Sequence, residues 1–168
     1  MKPLTDLTRD FHNSRKLFEQ LALNTPRIMG KIGVDVTHEN FTAQGFVASV
    51  GPAQKWKERS AATNKIYDSR KGYKGSVYNS SNPILRQTGN LMDGATYRAS
   101  QKQVRIGVNL NIVPYAQLMN EGGTVPFGKR MVRIPARKFL GMSQKLSLRI
   151  DAELIKKRRQ TFSKFKMV

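Results

Sequence analysis

Apolar residues recur at helical spacing along the first part of the chain. Leu4, Leu7, Phe11, Phe18 and Leu21 fall three, four and seven apart, which predicts an amphipathic helix over residues 4–24. Thr25-Pro26 then reads as a helix start, an N-cap hydroxyl followed by proline at the first helical position. A second helix is expected to follow, with Ile28, Met29, Ile32 and Val36 on one side. Gly30 and Gly33 weaken that helix, or else let it approach the first one closely. The two helices are therefore expected to form a hairpin.

Further along, the period changes from helical to alternating. Ala95, Tyr97 and Ala99 alternate with Thr96 and Arg98, and Val104, Ile106 and Val108 alternate with Arg105 and Gly107. This predicts an antiparallel β-hairpin with one oily face, its register set by that face. A short helix is expected from Pro83 to Leu91. Another is expected from Pro114, with Tyr115, Leu118 and Met119 apolar and Gly122-Gly123 ending it. Val125 to Arg130 reads as a loop, Met131 to Ile134 as a third strand stopped by Pro135. Phe139 and Leu140 should pack back onto the sheet. Ser143 caps a last helix carrying Leu146, Ile150 and Leu154.

Residues 44–83 break both periods. Gly45, Gly51, Pro52, Gly72, Gly75 and Pro83 punctuate them. Lys55, Lys57, Arg59, Lys65, Arg70, Lys71 and Lys74 face only Glu58 and Asp68, with Trp56, Tyr67, Tyr73 and Tyr78 interleaved. Cations and rings so mixed suit single-stranded nucleic acid, because cations track phosphates and rings stack on bases. The other reading is a long loop that orders against a neighbouring subunit. The run Lys156-Lys157-Arg158-Arg159 is a second basic stretch, read either as a frayed tail or as an arm that contacts phosphates or partners.

Charge sharpens this picture. The chain has 168 residues, is 39% hydrophobic, and carries a formal charge of +19. That size suits one domain, residues 1–168, with a real core. The charge calls for a polyanion or an acidic protein partner. There is no cysteine, which excludes disulfides, thiolate metal sites and cysteine nucleophiles. No apolar run reaches the ~18 residues of a spanning helix, so no membrane partner is expected. The first residues turn polar at once, without an apolar signal core.

Catalytic chemistry finds little support. His12 and His38 stand apart from any cluster of carboxylates, and the 11 acidic residues are scattered. Asp6 with Asp10, Asp35 with Glu39, and Asp151 with Glu153 are pairs without a third partner. No Gly-x-Ser-x-Gly turn occurs, and Gly122-Gly123-Thr124 lacks P-loop spacing. No enzyme activity, metal or cofactor is expected.

One ordered series of short blocks remains. Leu85-Arg86-Gln87-Thr88-Gly89-Asn90-Leu91 is followed by a strand ending Gly107-Val108 and by Tyr115-Ala116-Gln117-Leu118-Met119-Asn120-Glu121-Gly122-Gly123. Ile134-Pro135-Ala136-Arg137-Lys138-Phe139-Leu140-Gly141 closes the series. In this order the blocks resemble the phage virion morphogenesis family, the tail-completion proteins of Mu-like phages. The resemblance covers the C-terminal half and extends weakly into Phe41 to Trp56. The chain departs from the family pattern at Lys138, where proline is usual, and at Met119-Asn120, where histidine is common.

The resemblance implies an α+β fold like that of tail terminators. A small antiparallel sheet would pack on the last helix and the helix of residues 114–121, over a core spanning 84–155. The N-terminal helices would occupy 1–43, the long basic loop 44–83 and the basic tail 156–168. It also implies a structural role in tail completion or head–tail joining, as a neck ring of about six copies. The partners would be other copies of itself, adjacent head-connector and tail-terminator or tail-tube proteins, and packaged DNA bound without sequence preference. The chain would lie in the virion neck or tail, and in the host cytoplasm during assembly. Thr88, Gly89, Leu91, Tyr115, Ala116, Gly122, Gly123, Pro135, Arg137 and Phe139 would carry the family's subunit contacts. Lys55, Lys57, Arg59, Lys65, Arg70, Lys71, Lys74, Lys156, Lys157, Arg158 and Arg159 would face DNA or acidic partners. The alternative is a basic nucleic-acid-binding protein without enzymatic activity.

Overall fold

A computed structural model describes residues 4–69 and 80–163, and the side chains of 4–8 and 10 lie outside what it describes. The side chains of Leu4, Leu7, Asp6 and Asp10 named above, and residues Arg70, Lys71, Tyr73, Lys74 and Tyr78, therefore lie outside it.

The expected N-terminal hairpin is instead one helix. α1 runs Leu4–Ala43 with Pro26 inside it, about 60 Å at 1.5 Å per residue. Thr25-Pro26 starts nothing. The Thr25 hydroxyl donates back to Leu21 O (2.9 Å), the local bond a threonine makes within a continuing helix. Packing of Pro26, which is buried, offsets the amide bond that proline cannot make. Gly30 and Gly33 do allow a close approach, but by the β-hairpin. A Cβ on Gly30 would enter the Tyr97 ring, and one on Gly33 would meet Ile106 Cδ1.

That hairpin is the one the alternation predicts: β3 (Ala95–Ala99) pairs antiparallel with β4 (Val104–Val108), Tyr97 opposite Ile106. It packs on α1, not on the last helix. The last helix, α5 (Gln144–Ser163), begins as expected, with Ser143 Oγ accepting from Leu146 N at 3.1 Å. It too lies along α1. Leu146 and Ile150 bury against Val36 with Met29, Ile32 and Leu154 around them, and Phe162 meets Phe18 edge-on at 5.2 Å. The pairing of Val36 with the start of α5, and of Phe18 with its end, makes the two helices antiparallel. α5 continues through Lys156–Arg159, so that stretch is helical rather than a frayed tail.

The described part of 44–83 is more than a loop. β1 (Gly45–Phe46) pairs with β2 (Gln54–Lys55), and α2 spans Ala61–Ser69. Trp56 is buried. Its ring packs edge-on against Phe41 at 5.6 Å, and its Nε1 donates to Lys138 O at 2.7 Å. The main core gathers Phe41, Trp56, Leu91, Val113, Ala116 and Phe139. Phe139 thus packs on α1 (5.1 Å from the Phe41 ring) rather than onto a sheet.

Between Pro83 and Leu91 no full helix forms, because Leu85 takes φ 60° and Gly89 φ 82°. The helix there is the single turn α3, Asn90–Asp93. α4 spans Ala116–Glu121, as expected. Val125 to Arg130 is not a loop: β5 (Gly123–Phe127) pairs with β6 (Arg130–Ile134), Phe127 opposite Arg130. Gly128 at φ 60° supplies the first residue of the two-residue turn. The architecture is α+β, with three two-stranded antiparallel sheets among the described residues set around helices.

Candidate functional site

The ordered blocks converge in space. Gly122 ends α4 at φ 75°, and a Cβ there would come within 2.6 Å of Ala136 N. Glycine at this point lets α4 turn directly into β5 while residues 134–136 lie against it. The two blocks are then stitched together. Arg137 N donates to Met119 O at 2.8 Å, and Asn120 Oδ1 accepts from Phe139 N and Leu140 N, both at 3.0 Å. Asn120 does with an amide oxygen what a histidine nitrogen could do for only one donor.

Arg137 is buried and reaches the basic segment. Its Nε donates to Lys57 O at 3.0 Å and its Nη2 to Glu58 O at 3.4 Å. Burial, and then the nearby Arg59, push its pKa down, while Tyr67 acts the other way. Arg59 fastens the next stretch of chain. Its guanidinium donates to Ser80 O (3.0 Å), Asn82 O (2.6 Å) and Pro83 O (2.9 Å), and lies over the Tyr67 ring.

Around these contacts opens a cleft of about 1,510 Å³. Of the blocks' residues, Thr88, Leu91, Tyr115, Gly122, Gly123, Pro135 and Arg137 line it, with Lys57 and Arg59 from the basic segment. Ala116 and Phe139 lie buried in the core, and Gly89 forms the N-cap of α3. One wall is the β5–β6 hairpin. Most of its positions are exposed, among them Phe127 (72%) and Met131 (68%).

Of the other predicted cations, Lys55, Lys65, Lys156, Lys157, Arg158 and Arg159 are not among the cleft's lining residues. Lys55 Nζ donates to Ala43 O at the end of α1 (2.7 Å). Lys65 is exposed on α2. Lys156, Arg158 and Arg159 are exposed on α5, and Lys156 and Lys157 each lie 3.9 Å from Glu153. His38 Nε2 lies 3.1 Å from Met92 O, which can only accept, so that nitrogen carries the proton. His12 is exposed. Among the described residues no group of three His, Cys, Asp or Glu could hold a metal ion. None of the described helices is long and apolar enough to cross a membrane.

The profile of the phage virion morphogenesis family matches residues 8–158, nearly the whole length. The chain belongs to that family. No curated protein and no solved structure matches it. Membership of the phage virion morphogenesis family gives the chain a structural role in assembling a phage particle. The matched span begins inside α1 and ends inside α5, so both long helices contribute to the family unit along with the cleft.

Residues that hold this arrangement were missed in the sequence. Asn40, buried in α1, donates to Phe139 O and accepts from Val47 N, both at 2.9 Å. Gln44, at φ 52°, accepts from Ile84 N at 2.5 Å and donates to Ile84 O at 3.2 Å. An asparagine within a helical pattern carries no mark of a partner some 99 residues away.

Proposed function

We propose that the chain is a tail-completion protein that acts at the head–tail junction as a ring of about six copies. The β5–β6 hairpin carries this reading. A lone two-stranded hairpin is marginal in water, and this one bears exposed Phe127, Met131 and Val132. Such an arm suits a neighbouring copy, and closed cyclic symmetry satisfies it in every subunit. The N-terminal part of α1, with Phe11 exposed, is a second element able to reach an adjacent ring.

The exposed cations Lys57, Lys65, Lys156, Arg158 and Arg159 suit phosphates held without sequence reading, as a neck around exiting DNA requires. A free single-stranded nucleic-acid binder is the weaker alternative, because Trp56 is buried and cannot stack on a base.

Native mass spectrometry at low and high salt, with negative-stain images of the same sample, tests the proposal. A ring is expected, lost when Phe127→Ser and Met131→Ser are combined. A strict monomer that binds single-stranded DNA tightly in moderate salt would instead favour the free nucleic-acid binder.

A further inference from the structure

We propose that the cleft at Arg137 is a docking site for an acidic, partly apolar segment of a different virion protein, with a carboxylate of that segment pairing Arg137 and Arg59. This rests on the family membership and the cleft, and not on the ring.

Arg137 is 8% exposed, yet its partners are the two carbonyl oxygens of Lys57 and Glu58. It makes no ion pair among the described residues. Its charged neighbour, Arg59, has the same sign. A buried guanidinium without a counter-ion is costly, and a carboxylate arriving from outside removes that cost. Guanidinium and carboxylate also match as a two-pronged pair.

The rest of the lining has the same bias: Lys57, Arg59, Arg133 and Arg137 stand against Glu58 and Glu121. Residues 70–79 bring no counter-charge of their own, having Arg70, Lys71 and Lys74 and no acid. A second copy brings the same +19 and the cationic Lys129, Arg130 and Arg133 of its hairpin. Charge complementarity therefore selects a different, acidic protein.

Size and floor select a peptide. The cleft, at about 1,510 Å³, is larger than the ~300–1,000 Å³ of small-molecule sites. Leu85, Met119 and Val132 line it with apolar surface that phosphates cannot use. Trp56 is buried and cannot stack on a base, and Arg59 covers one face of the Tyr67 ring.

The test places a photo-reactive residue in the full chain within assembled particles, as Tyr115→p-benzoylphenylalanine and separately Thr88→p-benzoylphenylalanine. Both positions are exposed and line the cleft. Irradiation is expected to join the chain to an acidic stretch of another virion protein. Adding Lys57→Glu with Arg133→Glu should cut the yield by about tenfold, as reversal of interfacial charge does. Lys102→Glu with Arg105→Glu makes the same net charge change at exposed positions outside the cleft's lining and should leave the yield intact. Adducts to a second copy, to DNA, or to a neutral or basic stretch overturn the proposal, as does no adduct at all.

Where a substituted chain does not enter particles, the purified full chain is titrated with a fluorescent peptide alternating Glu and Leu. Weakening by the cleft reversal alone supports the site. Equal weakening by both reversals means that bulk charge binds the peptide, and overturns it.

Discussion

Asn40 joins three parts of the chain through one amide: α1 itself, Val47 just after β1, and Phe139 of the core. Asn40→Ala leaves a buried donor and a buried acceptor without partners, so we expect a loss of about 2–4 kcal/mol in urea unfolding. Asn40→Asp keeps the acceptor but cannot donate to Phe139 O at neutral pH, and it too should destabilise.

Glu39 works differently, as a charge. Burial acts to raise its pKa, but the hydrogen bonds and charges of Lys145 and Arg149 outweigh burial and hold it below the ordinary 4.5. A carboxyl depressed in the folded state stabilises the fold above its ordinary value. That contribution fades as pH falls through the folded value. The side chain is 36% exposed, so water screens the pair and the gain at pH 7 is about 0.5–1 kcal/mol. Glu39→Gln should lower stability by that much at pH 7 and leave it unchanged near pH ~2, measured by denaturant midpoints at both.

Between elements, two glycines of α1 make contacts of different stiffness. At Gly30 an added Cβ meets the body of the Tyr97 ring; at Gly33 it meets the free end of Ile106. Alanine gains about 1 kcal/mol of helix propensity at either site. Overpacking against a ring costs ~1–3 kcal/mol, whereas a terminal methyl turns aside. Gly30→Ala should therefore destabilise, and Gly33→Ala should be neutral or stabilising, in the same urea assay.

These glycines also mark what the sequence made legible. β3–β4 could be read because alternation is local, and α5 because Ser143 and a spacing of four announce it. α1 was split in two because Thr25-Pro26 has the chemistry of a start, and the packing that lets Pro26 sit inside a helix is tertiary. β5 was hidden by Gly123 and Pro126, which read as turn residues but sit in a hairpin that, among the described residues, pairs only with itself. The Thr-Gly, Tyr-Ala, Gly-Gly and Ile-Pro-Ala-Arg blocks were visible as an ordered set. That they enclose one cleft was not, because Arg137 meets Lys57 across 80 residues of chain.

For the whole molecule, charge and apolar surface pull in opposite directions, and salt separates them. Each subunit carries +19, so copies brought into a ring repel one another. The hairpin that would join them is apolar at Phe127, Met131 and Val132. Salt screens the repulsion, with a Debye length of ~10 Å at 0.1 M and ~3 Å at 1 M, and leaves the apolar contact intact. The ring fraction of DNA-free protein should therefore rise with salt. Binding to DNA should do the reverse, because released counterions drive it; with ~6 phosphate contacts the affinity falls about a thousandfold between ~50 and ~200 mM salt. Light scattering on a sizing column and fluorescence anisotropy with a duplex, run over the same salt series, measure both. Opposite slopes are the expected result. A ring that falls apart as salt rises would mean that ion pairs hold the subunits together. The hairpin arm would then lose its role, and the few acids of the chain, Glu58 and Glu121 at the cleft first among them, would be the contacts to test by charge reversal.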